Sequence, residues 1–312
     1  MTLNIQNRLS GKLFLTGLVL AGLLALAGCG GGGGSAENDR LQIVATTTMI
    51  EDLARRIAGE DADVVGIMKV GEDPHVYDVR PNDAVAISRA DLVLTNGFHL
   101  EATLGGVIEQ TARGDVLHLA EVANITPIGS TVYEGAPDPH CWMDVRLFRR
   151  YAEVLRDRLI SMDPDREAGY GQRAAEYLYE LDQLQAQILS MWESVPRDRR
   201  VIVTSHDAFN YYAAAYGVEV HGVIGISTDA QPKASDIEDL RDMITERNVR
   251  ALFLETSVAP TLNQIVENIA EATGASIGGK LYSDSLGGPE SPGATYIDMM
   301  RHNTTTMVEA LK

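Results

Sequence analysis

The chain has only two cysteines, Cys29 and Cys141, in 312 residues, so a fold stapled by several disulfides is excluded. Basic side chains are scarce as well: 26 Lys and Arg stand against 44 Asp and Glu, a net charge of −18. A surface of that sign repels nucleic acid and anionic lipid, and no nucleic-acid partner is expected. The one long greasy segment, residues 13–27, is too short for a membrane span. There is no His-Glu-x-x-His pair, and no Ser or Cys nucleophile sits in a recognised elbow. No short-period repeat runs through the chain. What remains is a length and a hydrophobic content (45 %) sufficient for two domains or one large one.

Arg8 and Lys12 are the only charged side chains in residues 1–28, and an apolar run and small residues follow them. A basic start, a short greasy segment and a small-residue exit read as a signal peptide. Leu26-Ala27-Gly28-Cys29 resembles a bacterial lipobox, in which the cysteine is lipidated and becomes the new N-terminus. With Cys29 lipidated, no intrachain disulfide is possible. Residues 30–34 are all glycine and a polar stretch follows, so residues 29–40 read as a flexible tether. The expected location is extracytoplasmic, either lipid-anchored to the cell membrane or periplasmic.

Beyond the tether, short β-branched runs at 41–45, 64–68, 92–95 and 116–119 alternate with helical spacing at 50–59, 81–89 and 101–113. A second series follows from residue 201. Its strands are 201–204, 218–223 and 251–254, and its helices are 209–216, 235–247, 262–273 and 296–311. Ser235 and Glu238 are spaced as a capping box. Strand–helix alternation predicts an α/β fold with mostly parallel sheets. Between the two series, residues 145–195 carry helical spacing, broken once at Met162-Asp163-Pro164. The second helix of that stretch is long enough to span a domain.

Against this background one tripeptide recurs: Asp73-Pro74-His75 and Asp138-Pro139-His140. A third histidine stands in Thr204-Ser205-His206-Asp207, and a carboxylate in Tyr282-Ser283-Asp284-Ser285. Imidazole and carboxylate are ordinary ligands for divalent transition metals. All four segments are expected in loops between elements, and loops at the carboxyl ends of parallel strands are where ligands gather. Two segments lie in each half, which suggests an ion held between two lobes. His99 is the reserve candidate. His118, His221 and His302 are expected to be structural. Cys141, beside His140, is a soft ligand by type, but neighbouring side chains in extended backbone point apart. Glu255, at the end of the strand 251–254, is the candidate acceptor behind a ligand imidazole.

Taken in order, the four motifs resemble the zinc/manganese receptors of bacterial ABC importers, the cluster A-I solute-binding proteins. The resemblance covers residues 41–312. It implies two α/β lobes, each a mostly parallel sheet flanked by helices, joined by one long helix, with the metal in the cleft. The implied layout is an N-terminal lobe at 41–163, a linking helix at 164–195 and a C-terminal lobe at 196–312. His75, His140, His206 and Asp284 match the family's four ligand positions. The implied partners are Zn2+ or Mn2+ as transported ligand and an ABC permease, served by a monomer. Many manganese receptors of the family carry Glu where this chain has His206. Many zinc receptors carry a His-rich loop, yet residues 119–139 contain no histidine. The first feature favours zinc and the second does not; on intrinsic affinity zinc is preferred and manganese follows. A secreted zinc-dependent hydrolase, with Glu255 as base, is the alternative. Nothing in the residues supports an adhesin role independently.

Overall fold

Alternating β-branched runs and amphipathic helices build two sheets of one topology. The computed structural model describes residues 40–128 and 137–312, so the expected signal peptide, Cys29 and nearly all of the tether lie outside the described residues. The first half holds β1 (Leu41–Ala45), α1 (Thr48–Ala58), β2 (Ala62–Gly66), α2 (Pro81–Arg89), β3 (Leu92–Thr95), α3 (Ala102–Thr111), β4 (Asp115–His118) and a single turn, α4 (Leu119–Val122). Two long helices follow, α5 (Val145–Met162) and α6 (Glu167–Trp192). The second half holds β5 (Val201–His206), α7 (Asn210–Tyr216), β6 (Glu219–Ile224), α8 (Ala234–Glu246), β7 (Ala251–Glu255), α9 (Pro260–Thr273), β8 (Ser276–Leu281) and α10 (Tyr296–Leu311). The strand orders are β2-β1-β3-β4 and β6-β5-β7-β8, and every pairing is parallel. In each sheet the chain reverses its direction of travel between the two central strands. That switch point is where a crevice opens at the carboxyl ends.

Helix α6 joins the halves. Tyr170, Ala174, Tyr177, Leu181, Leu184, Ile188 and Trp192 recur every three or four residues and form its buried stripe. Near its start, Arg173 donates to the carbonyls of Ile57 and Ala58 and to Asp61 of the first half. At its end, Trp192 Nε1 donates to Tyr212 OH of the second half at 2.8 Å. One apolar core runs through both halves: Phe148 of α5 stacks on Tyr296 of α10 with ring centroids 3.6 Å apart. The Tyr296 hydroxyl then donates to the Trp142 carbonyl.

The structure departs from sequence expectation at several places. Strand β2 begins at Ala62, two residues early. Ser235 does not cap α8: the helix begins at Ala234, and the Ser235 hydroxyl donates to Asp236 instead. Strand β5 runs on to His206, so that residue ends a strand instead of sitting in a loop. Strand β8 has no sequence signal because Gly278 and Gly279 interrupt it. A Cβ at Gly278 would lie 2.6 Å from the Phe253 ring, and Gly279 has φ +145°. The register shift between Leu252 and Phe253 falls at the same place. Close packing and an irregular ladder, not propensity, fix this strand.

Candidate metal centre

The two Asp-Pro-His tripeptides fold alike at their start. Asp73 Oδ1 accepts from the His75 backbone N–H at 2.9 Å, and Asp138 Oδ1 accepts from that of His140 at 2.9 Å. Each aspartate thus closes a short turn that its proline stiffens. His75 lies in a 3-10 turn, Pro74–Val76, instead of an irregular loop. Asp138 does more: its Oδ1 also lies 2.8 Å from His140 Nδ1, and its Oδ2 accepts from Asn210. The ring is therefore locked with Nε2 pointing away from Asp138. Asp144 ends the second motif and caps α5 by accepting from the Arg146 N–H at 2.9 Å.

His206 stands at the carboxyl end of β5 and Glu255 at that of β7, the two strands flanking the switch point of the second sheet. Glu255 Oε1 accepts from the His206 backbone N–H at 2.9 Å, and its Oε2 lies 2.8 Å from His206 Nδ1. This carboxylate stands behind His206 Nδ1 and leaves Nε2 facing outward. Asp284 follows β8, and its backbone N–H donates to Ser257 Oγ at 3.1 Å. The preceding carbonyl, that of Ser283, accepts from Trp142 Nε1 at 3.0 Å.

These supports bring four donor groups to one point. One ligand atom from each of His75, His140, His206 and Asp284 lies within 4.8 Å of the others. His75 Nε2 is 3.2 Å from His140 Nε2. Asp284 Oδ1 is 3.4 Å from His140 Nε2, and Oδ2 is 3.1 Å from His206 Nε2. Ligands about 2.0–2.1 Å from a tetrahedral ion are roughly 3.3 Å apart, so these separations suit a four-coordinate cation. Among the described residues, both Asp284 oxygens, both His206 ring nitrogens and Glu255 Oε2 are buried with only one another and His140 as polar neighbours, and none of them meets hydrogen-bond geometry. Orphaned atoms of this kind are costly unless something polar satisfies them, and a cation among them does so.

Electrostatics follow from the same contacts. Burial lowers the His75 ring to about 3, so it is neutral and ready to ligate. Burial also opposes charge on His140, yet Asp138 and Asp284 outweigh it and hold that ring up at about 9. Burial likewise opposes charge on His206, and Glu255 and Asp284 raise that ring well above its usual value. Asp284 is held well below its usual range by His206 and His140, although burial works the other way. The three histidines and three carboxylates form one mutually dependent cluster. A divalent ion supplies the positive charge that protons otherwise bring.

The remaining candidates lie elsewhere. Cys141 is fully buried in the apolar core, where burial pushes its thiol up to about 12, and it does not join the donor group. His118 shares a hydrogen bond with Thr95 at 2.7 Å, His221 with Glu219 at 2.7 Å, and His302 with the Lys280 carbonyl at 3.2 Å. His99 is exposed and outside the donor group. Asp138 is the residue that sequence reasoning missed. Its signal was available: it stands two residues before a histidine, as Asp73 does.

Glu255→Gln is expected to keep the bond to the His206 N–H and to lose the charge behind the ring. Zinc affinity should fall about 10–100-fold, the usual cost of such a change. A chelator competition giving wild-type affinity would remove Glu255 from the site.

Comparison with known proteins identifies the family. The family described as ZnuA, zinc-uptake complex component A, periplasmic, matches residues 43–310. The zinc-binding protein TroA of Treponema pallidum is 35 % identical over 281 residues, 89 % of this chain and 91 % of its own. The manganese-binding lipoprotein MntA of Bacillus subtilis is 34 % identical over 304 residues, 96 % of this chain and 99 % of its own. The solved structure of TroA has a TM-score of 0.82 at 34 % identity and covers 87 % of this chain and 99 % of its own. A manganese-bound periplasmic metal-binding protein from Candidatus Liberibacter asiaticus has a TM-score of 0.78 at 28 % identity, covering 86 % and 99 %. None of this supports the hydrolase alternative, and Glu255, buried against His206, is not placed to act as a free base. The chain belongs to the ZnuA family of periplasmic zinc-uptake components, and it is a metal-ion receptor of an ABC importer, not an enzyme.

Proposed function

We propose that His75, His140, His206 and Asp284 together hold one divalent transition-metal ion, which the protein delivers to an ABC permease. The observation that carries this is the meeting of four donors from four segments within 4.8 Å. Four protein ligands fill a tetrahedral ion and leave no position for an activated water, as suits capture and not catalysis. Three imidazoles and one carboxylate favour zinc over manganese on intrinsic affinity. Manganese is the second reading. Both Asp284 oxygens are buried and unpartnered, and a bidentate carboxylate raises the coordination number that manganese prefers. Competition titration on protein stripped of metal separates the two. Zinc displacing manganese at equal concentration is the expected result; manganese holding against zinc reverses the assignment.

The receptor works outside the cytoplasm, tethered by lipid on Cys29, with residues 29–40 as the leash between membrane and body. MntA of Bacillus subtilis is named a lipoprotein, and among the described residues no helix is long and apolar enough to cross a membrane. The layout is an N-terminal lobe at 41–163, a linking helix at 164–195 and a C-terminal lobe at 196–312. Release to the permease requires the two lobes to part at the cleft. Cys29→Ala is expected to abolish lipid labelling and to move the protein from the membrane fraction to the soluble one. Labelling that persists in this variant rejects the anchor.

A further inference from the structure

His75 differs from the other three donors in one respect. His140 and His206 are fully buried and Asp284 nearly so, whereas His75 is only partly covered. In front of it lies a cavity of about 350 Å³, lined by His75, Phe98, His99, Pro139, Ser227 and Asp229 among others. His99 comes from the loop after β3 of the first half, and Asp229 from the loop after β6 of the second. The two therefore face the cavity from opposite lobes.

The backbone that presents His99 is strained. Gly97, Phe98 and His99 have φ of +91°, +50° and +62° in succession. Two non-glycine residues in the left-handed region cost energy, and such a shape persists only where its surroundings impose it. Two carboxylates do so here. Glu101 accepts from the N–H groups of Asn96 at 2.7 Å and Gly97 at 3.3 Å, and Glu121 accepts from that of Phe98 at 2.9 Å. Packing against the core accounts for Phe98. It does not account for His99, whose ring is exposed and makes no hydrogen bond among the described residues. Across the cavity, Ser227 Oγ donates to Asp229 Oδ1 at 2.7 Å and orients that carboxylate.

We propose that this cavity is a capture site, in which the His99 imidazole and the Asp229 carboxylate take up a partly hydrated divalent cation before it passes to His75. The inference rests on the four-residue site proposed above. A bare ion does not enter a protein; water must be exchanged for ligands stepwise. One imidazole and one carboxylate at the mouth replace part of the hydration shell, and His75 is the next donor inward. Because His99 and Asp229 are absent from the final ligand set, they ease passage in both directions without changing the end state.

That gives a signature no purely structural role shares. In the full chain, His99→Asn (asparagine tolerates the left-handed region) and Asp229→Asn should each slow zinc association about three- to tenfold by stopped flow. Release to saturating chelator should slow by the same factor. Equilibrium affinity and the metal-free melting temperature should stay at wild-type values. Unchanged rates in both variants overturn the proposal. So does slower association with unchanged release and weaker affinity, since that is the mark of long-range attraction or of a final ligand. If the wild-type protein fails to bind zinc, the four-residue site itself is wrong, and this is read from the control before either variant is measured.

Discussion

His75→Ala is expected to weaken zinc binding by more than about a hundredfold, the upper range seen when only a supporting residue is lost. Its metal-free melting temperature should stay within about 1–2 °C of wild type. Both halves of that statement come from the local structure. The turn that carries His75 is held by its backbone: Asp73 accepts the His75 N–H, and Thr228 Oγ1 donates to Asp73 Oδ2 at 2.6 Å. Neither bond needs the imidazole. Burial holds the ring itself down at about 3 and therefore neutral, so its removal strands no charge. His206→Ala should behave differently. That ring stands between Glu255 and Asp284, with all three side chains buried. Its loss leaves two buried carboxylates without the cation that pairs them, a change of the class that costs about 3–5 kcal/mol. Calorimetry of the two variants side by side, without metal and then with zinc, checks the contrast. Wild-type affinity in His75→Ala would remove that residue from the site. Equal metal-free stability in both variants would contradict the electrostatic picture of the cluster.

Saturating zinc is expected to raise the melting temperature of the wild-type protein by about 8 °C or more. At a free concentration a thousand times the dissociation constant, a ligand of the folded state alone contributes about 4.1 kcal/mol. Each kcal/mol is worth about 2–4 °C for a chain of roughly this size. The physical origin is specific. Both Asp284 oxygens and His206 Nε2 are buried without hydrogen-bond partners, and the unfolded chain has no assembled site to compete. Excess chelator should return the transition to its metal-free position. A melting temperature indifferent to saturating zinc would mean that the ion does not bind in the folded core.

Much of this was legible in the residues themselves. Helices α2 and α10 and strand β3 fall at the bounds their periodicity marks, because cap, proline and apolar spacing agree there. The repeated Asp-Pro-His was visible as a recurrence, and both aspartates make the same backbone bond. The place of Glu255 at a strand end was legible, and β7 does end on it. Other features were not. Strand β8 is hidden by two glycines that Phe253 and Thr306 require, a tertiary constraint with no local pattern. The Ser235–Glu238 spacing mimics a cap that the chain does not use, since α8 begins before Ser235. The role of Asp138 behind His140 depends on a side-chain rotamer that spacing cannot reveal. The left-handed Phe98-His99 pair was invisible, because neither residue advertises positive φ and the carboxylates that impose it stand three and twenty-three residues along the chain.

X-ray absorption at the zinc edge of the loaded wild-type protein tests the central claim most directly. The donor set described here predicts three imidazole nitrogens at about 2.0–2.1 Å and a carboxylate oxygen at similar distance. A sulfur shell at about 2.3 Å, pointing to Cys141, or a spectrum with a single imidazole, would contradict it.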